Sequence, residues 1–231
     1  MADNIKSKES KSELNQLATE GERLLEAKEY TKAEQSFLKA LMLIRKSGID
    51  DDPEIKIQKI KIIKKNGDLA LSANDPIKAT SIYLRLANEE LSIKYDNGIS
   101  FKNFLDNMDK VETLLDNMNS SGNAIYSAKG FIEAGLKYGE YKDMLVNAAK
   151  NGNVHALPRK SKEIDYLSLK ATECIYGSLE IIDKLSRNPN NYNYGFLLAE
   201  IKEFGIFNRD RDILKKCADI AERMDQHMNQ K

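Results

Sequence analysis

The sequence predicts an all-α protein made of consecutive antiparallel helical hairpins. Apolar residues recur with the helical period of 3.6 residues from about residue 11 to the end of the chain, and no segment reads convincingly as a strand. The 231 residues include only 4 Pro and 12 Gly, fewer than a loop-rich all-β fold would need. Hydrophobic residues make up 41% of the chain, so a sizeable core can be buried.

Helical periodicity divides the chain into about ten helices after a short tail. Residues 1–10 are polar and charged, and we expect a disordered N-terminal tail there. The first helix places Leu14, Gly21 and Leu25 on one face, and the second follows a tight corner at Tyr30. The predicted helices lie at about residues 11–28, 31–47, 53–73, 76–95, 101–118, 124–138, 140–150, 161–187, 195–205 and 209–228.

The third helix has the most ambiguous start. Its segment "IDDDPEIKIQKIKII" alternates isoleucine with lysine, as a strand would. However, Asp52 can accept hydrogen bonds from the free amides of a first helical turn, and Pro53 fits a position where no amide donor is needed. The same pair recurs as Asp75 and Pro76. We therefore predict that both segments begin helices.

Two breaks organise the second half of the chain. Gly139 is predicted to end one helix and to begin a short one. The longest irregular stretch is "NGNVHALPRK" at 151–160, after which Ser161 is predicted to cap a long helix. The predicted organisation is therefore a tail at 1–10, helical hairpins at 11–150, a loop at 151–160, and C-terminal hairpins at 161–231 packed on the same array.

Charge and cysteine usage limit the function classes. The chain has 36 basic and 36 acidic residues, so it lacks the basic excess with which most nucleic-acid binders neutralise phosphate. Cys174 and Cys217 sit in apolar helical patterns, where two buried thiols fit better than the alternative, a disulfide. No apolar run approaches the roughly 18 residues that span a bilayer, and the start lacks a secretory signal. We expect a soluble, cytoplasmic protein.

Small and large residues occur at regular intervals in residues 21–40, at Gly21, Leu24, Tyr30, Ala33, Phe37 and Ala40. This spacing resembles one unit of the tetratricopeptide-repeat (TPR) superfamily, whose helical hairpins pair small residues with large ones. A second copy follows 46 residues later with Gly67, Ala79 and Tyr83, although Ala70 and Pro76 stand where a large residue and an aromatic are usual. A third candidate, "GLKYGEYKDMLVNAA", places Tyr141 at its corner.

The resemblance implies a right-handed superhelix of stacked hairpins, whose first helices line a concave groove that holds a peptide or helix of a partner protein. It implies an adaptor or scaffold, without catalysis, metal or cofactor. The subclass that binds chaperone tails is not matched, because Ala18, Glu22 and Lys65 replace its lysine and asparagines. The predicted partner-binding residues are Glu22, Leu25, Lys61, Lys64, Lys65, Asp68 and Leu71.

Other functions remain open at this stage. The third helix carries Lys56, Lys59, Lys61, Lys64 and Lys65, which could bind nucleic acid, although no aromatic residue lies among them to stack on bases. A SNAP-like membrane-fusion adaptor is a further alternative. Self-association is possible if the apolar stripe of Ile213, Ile220 and Met224 on the last helix is exposed.

No catalytic or metal-binding pattern stands out. His155 and His227 are the only histidines, and neither has a Cys, His or carboxylate at ligand spacing. Tyr192 and Tyr194 in the loop "NPNNYNYG" could be exposed contact residues, but we favour rings packed back onto neighbouring helices.

Overall fold

The computed structural model describes residues 2–50, 52–91, 99–151, 157–187 and 194–228. Within these ranges the protein is all-α, with nine helices and no strand. The helices are α1 (Ala2–Glu26), α2 (Tyr30–Ser47), α3 (Pro53–Ser72), α4 (Pro76–Leu91), α5 (Ile99–Ser120), α6 (Ala124–Asn151), α7 (Leu157–Ser186), α8 (Gly195–Asn208) and α9 (Arg211–Met228).

The predicted aspartate caps are confirmed. Asp52 Oδ1 accepts a hydrogen bond of 2.9 Å from the amide of Glu54, and Pro53 is the first residue of α3. Asp75 Oδ1 accepts one of 3.0 Å from the amide of Lys78 at the start of α4. Each cap satisfies an amide that has no partner inside its helix, and this decides the ambiguous segment after Asp52 in favour of a helix.

Four hairpins turn through the same corner. One corner residue has a positive φ in each: 60° at Lys28, 58° at Asn74, 90° at Gly122 and 55° at Arg209. The amide of the following residue then donates to a carbonyl five residues earlier, over 2.9 Å in each hairpin. Hairpins α1–α2, α3–α4, α5–α6 and α8–α9 therefore share one corner structure, and the first three follow one another at intervals of 46 and 48 residues.

Small residues let the helices of each repeat approach closely. A Cβ atom added at Gly21 would lie 2.5 Å from the Phe37 ring, and one at Gly67 would lie 3.1 Å from the Tyr83 ring. In the third repeat the large residue of this contact lies on the first helix and the glycine lies on the second. Leu115 stands at the glycine position of α5, and it packs onto Gly130 of α6, where an added Cβ would lie 2.2 Å away.

The two predicted breaks in the second half of the chain are not where the sequence placed them, and α1 begins at Ala2 rather than near residue 11. Gly139 does not break a helix: α6 runs through it, because Tyr138, Tyr141 and Leu145 are all buried on one continuous helical surface. The third TPR-like candidate was therefore wrong, since Tyr141 lies inside a helix. α7 begins at Leu157, so Ser161 is not a cap, and Pro158 fits the first turn instead.

The chain divides into two compact units, Met1–Lys110 and Val111–Lys231. In the first, α1 packs on α2, α2 on α3, and α3 on α4. In the second, α6 packs along α7, and α9 packs on both α7 and α8. Of the predicted loop at 151–160, Asn151 ends α6, residues 157–160 belong to α7, and residues 152–156 lie outside the described residues, so the division of the chain at that point stays a prediction.

The apolar stripe of the last helix is covered. Ile213 and Ile220 are buried, and Met224 is half-buried, where α9 meets α7 and α8. Cys174 and Cys217 are buried free thiols, as predicted. Tyr194 is also buried, so the expectation that its ring packs onto helices is confirmed, whereas Tyr192 lies outside the described residues.

Candidate protein-binding groove

A groove runs between α1 and α3, the first helices of the two N-terminal hairpins. Two polar contacts hold these helices side by side. Lys11 Nζ lies 2.6 Å from Asp52 Oδ2, and Gln58 Nε2 donates a hydrogen bond of 2.6 Å to Asn15 Oδ1. The ion pair lowers the pKa of Asp52 through its hydrogen bond with Lys11. These two contacts thus hold the middle of α1 beside the first two turns of α3.

The groove has an apolar floor and a charged rim, with a volume of about 350 Å³. Phe37 and Ile62 contribute buried apolar surface, and Ile57 adds a side chain that is 52% exposed. The rim carries Glu22 on α1 and Lys61 and Lys65 on α3; the other lining residues are Asn15, Ala18, Thr19, Glu54 and Gln58. An exposed apolar side chain between charges is suited to contact with another protein.

The two groove lysines are available to a ligand. Lys65 Nζ lies 3.8 Å from Glu22 Oε1, which is too long for a hydrogen bond. Lys61 is exposed and makes no ion pair with any residue in the described ranges. Exposed pairs of this kind contribute little to stability, so an incoming carboxylate can compete for both ammonium groups.

The seven predicted binding residues do not all meet in this groove. Glu22, Lys61 and Lys65 line it together. Leu25 is half-buried against the core of α1, α2 and α3, and Leu71 is exposed near the end of α3, away from the groove lining. Lys64 and Asp68 do not line the groove; Asp68 contacts Tyr83 of α4, and Lys64 is exposed.

Asp68 belongs to a polar cluster in the second hairpin. The Tyr83 hydroxyl donates a hydrogen bond of 2.5 Å to Asp68 Oδ1, and Lys110 Nζ lies 3.6 Å from the same oxygen. Lys110 also sits 4.9 Å from the centre of the Tyr83 ring, a cation–π distance. Burial, and then the Asp68 carboxylate, raise the pKa of Tyr83, so the hydroxyl stays a donor.

Lys64 lies close to a buried carboxyl group, Glu90. Glu90 is only 5% exposed, and both of its oxygens lie 3.0 Å from the side-chain amide of Asn107. Burial raises the pKa of Glu90 to about 7, the Asn107 hydrogen bond and the charge of Lys64 act to lower it, and Asp106 adds to the rise. The charge of Lys64 thus acts on a buried carboxyl group, while its own side chain stays exposed.

The lysines of α3 are spread over several faces. Lys59 is half-buried and pairs with Glu89 at 2.7 Å and Asp50 at 3.0 Å. Burial acts to lower its pKa, but these two carboxylates raise it overall. Lys61, Lys64 and Lys65 are exposed, but Glu22 lies beside Lys65 and Glu54 lines the same groove, so α3 does not present a purely basic surface to a nucleic-acid backbone.

The exposed apolar residue of the groove was missed at the sequence level. Ile57 precedes Lys61 and Lys65 at intervals of four residues, so it shares their side of α3. That spacing was readable, but an isoleucine in an apolar helix is normally assigned to the core. The polar pair Asn15 and Gln58 could not be recognised, because it joins residues of different hairpins.

The described residues contain no group of three or more His, Cys, Asp or Glu side chains placed to hold a metal ion. Across the same ranges, none of the helices is both long enough and apolar enough to cross a bilayer. Burial raises the pKa of Cys174 and of Cys217, which keeps both thiols protonated and unreactive. His155 and the side chain of His227 lie outside the described residues.

No protein-family model matches this chain, and neither a curated protein nor a solved structure matches it significantly. The function must therefore be argued from the groove itself.

Proposed function

We propose that this chain is a non-enzymatic adaptor or scaffold that holds a peptide or helix of a partner protein in the groove between α1 and α3. The observation that carries the proposal is the pairing of an exposed apolar side chain, Ile57, with two exposed lysines, Lys61 and Lys65, on one side of α3. The ligand that fits carries an apolar side chain followed by acidic residues at helical spacing.

The repeated hairpins support a TPR-like architecture for this adaptor. Their shared corner and their close glycine–aromatic contacts at Gly21 and Gly67 agree with the spacing of small and large residues on which the resemblance rests. In such repeats the first helices of successive hairpins form the binding surface, and α1 and α3 are those helices here. A cytoplasmic location is part of the proposal, and the two free thiols are consistent with a reducing compartment.

A displayed random-peptide library, selected against the full-length chain, tests the proposal. Titration calorimetry then gives the affinity of the selected peptides for the wild type and for two matched charge-reversal variants. Lys61→Glu with Lys65→Glu alters the groove, and Lys39→Glu with Lys46→Glu alters exposed positions of α2. We expect the groove reversal to weaken binding at least about tenfold, because like charges would then face each other, and the α2 reversal to leave binding unchanged.

Equal affinity of the selected peptides for both reversals would contradict the proposal, as would a selection that enriches no peptide. Circular dichroism of each variant provides the folding control. Both reversals change exposed side chains, so the helical signal should match that of the wild type.

A further inference from the structure

The outward side of α8 exposes large apolar side chains. Leu197, Leu198 and Ile201 are buried against the rest of the second unit. On the opposite side Phe196 is 53% exposed, and Phe207 is 76% exposed although it borders a small cavity that α6 and α7 also line. Exposed phenylalanines of this kind mark a surface suited to contact with another protein.

Four residues define what we call the α8 face: Phe196, Glu200, Glu203 and Phe207. They follow one another at intervals of four, three and four residues, which places them within about 60° of one another around the helix. Two exposed glutamates therefore lie between two exposed phenylalanines. A fitting partner offers two basic groups beside apolar surface.

The row of Ile57, Lys61 and Lys65 on α3 offers that complement, and Glu22 and Glu54 line the same groove beside it. On α3, Ile57, Lys61 and Lys65 also follow one another at intervals of four residues. Lys61 and Lys65 are about 6 Å apart along the helix axis, and Glu200 and Glu203 are about 4.5 Å apart, a difference that flexible lysine side chains can absorb. One phenylalanine would then lie over Ile57, with both lysines opposite both glutamates.

Pairing of α8 with α8 from a second copy fits less well. An antiparallel pair that placed Phe196 against Phe207 of the other copy would also place Glu200 against Glu203 of the other copy. Like charges directly opposed in an interface are unfavourable. The charge pattern thus favours a contact between two different surfaces.

We infer that the α8 face of one copy of this chain docks in the α1–α3 groove of a second copy. The inference rests on the proposed function, because it names the occupant of the same groove. Such a head-to-tail contact uses different surfaces on the two copies, so it can extend through further copies. A single helix face of this length makes a small interface, for which weak, concentration-dependent association is expected.

Sedimentation velocity of the full-length chain, from about 5 to 200 μM, tests the inference. The wild type should gain average mass as its concentration rises, and less so at high salt. The groove variant Lys61→Glu/Lys65→Glu and the helix variant Glu200→Lys/Glu203→Lys should each associate at least about tenfold more weakly. An equimolar mixture of the two should recover association, because the groove of each then meets opposite charges on α8 of the other.

A wild type that stays monomeric throughout this range overturns the inference, and so does a mixture that associates no better than its components. The double variant Phe196→Ala/Phe207→Ala gives a check without charge change, and it should also remain monomeric. The peptide selection described above is independent of this result. If peptides bind through Lys61 and Lys65 while the wild type is monomeric, only self-docking is excluded.

Discussion

The first two hairpins share one backbone design but differ in the polarity of their cores. Counted 46 residues apart, Phe37 corresponds to Tyr83, Ile44 to Glu90, and Glu22 to Asp68. The first hairpin buries phenylalanine and isoleucine, whereas the second buries a tyrosine ring and a carboxyl group at the same positions.

This difference decides which surface charges remain free. The Tyr83 hydroxyl binds Asp68 and brings Lys110 close, and buried Glu90 engages Asn107 and the charge of Lys64. In the first hairpin Phe37 has no hydroxyl group to bind Glu22. The Glu22 side chain therefore stays exposed in the groove beside Lys65. A polar core in one repeat thus turns neighbouring charges into structural groups, while an apolar core leaves them available for binding.

The largest expected effect comes from removing the charge of Glu90. Burial raises its pKa to about 7 from an unfolded value of 4.5, so the folded state holds an extra proton between these pH values. The contribution of Glu90 to the free energy of unfolding should therefore be most favourable below about pH 4.5, and it should fall as the pH rises to about 7. Glu90→Gln should therefore be more stable than the wild type at pH 8, by on the order of 3 kcal/mol.

Urea unfolding at pH 5 and pH 8 measures this difference for Glu90→Gln. Glu26→Gln, an exposed carboxyl on α1, is the matched control and should show no such change between the two pH values. An advantage of Glu90→Gln that is as large at pH 5 as at pH 8 would mean that proton binding is not its cause.

The glycines of the two hairpins should differ in their tolerance of alanine. At Gly21 a new Cβ would lie 2.5 Å from the fully buried Phe37 ring, so Gly21→Ala should cost about 1–3 kcal/mol of stability. At Gly67 the corresponding distance is 3.1 Å, and the better helix propensity of alanine offsets about 1 kcal/mol. Thermal unfolding of both variants should rank Gly21→Ala as clearly the less stable; the opposite ranking would contradict the packing described for the two repeats.

The smallest expected effects come from exchanging the two aromatic residues. Tyr83→Phe removes the hydrogen bond to Asp68 and should cost about 1 kcal/mol. Phe37→Tyr places a hydroxyl at the position that corresponds to Tyr83, with Glu22 at the position that corresponds to its acceptor Asp68, so we expect it to cost less than about 1 kcal/mol. Urea unfolding compares them, and a larger loss for Phe37→Tyr would show that the two repeats are not equivalent at this position.

The sequence predicted the local features of the fold better than its long-range contacts. The caps at Asp52 and Asp75 and the corner at Tyr30 depend on neighbouring residues, and all three were readable. Gly139 was misread, because a glycine weakens a helix by only about 1 kcal/mol and packing against α7 outweighs that loss. The third repeat was missed because Leu115 replaces the expected glycine and Gly130 supplies the small residue from the opposite helix.

The candidate site was predictable only in part for the same reason. Helical spacing identified the right helices, and Glu22, Lys61 and Lys65 do share a groove. Helical spacing alone could not show that Lys61 and Glu22 line the groove whereas Lys64 and Asp68 do not. Those assignments depend on Tyr83 and Glu90, which lie in another helix and act through a single hydroxyl and a single carboxyl group.

The most direct test of the account is to map a selected peptide onto the isotope-labelled full-length chain by NMR. The amide signals of Ile57, Lys61, Lys65 and Glu22 should shift on titration, and those of Asp68 and Lys110 should not. Shifts centred on Asp68 and Lys110 would contradict the claim that an apolar core in the first hairpin leaves its charges free to bind. An unchanged spectrum around Ile57 in the presence of a peptide that does bind would contradict it equally.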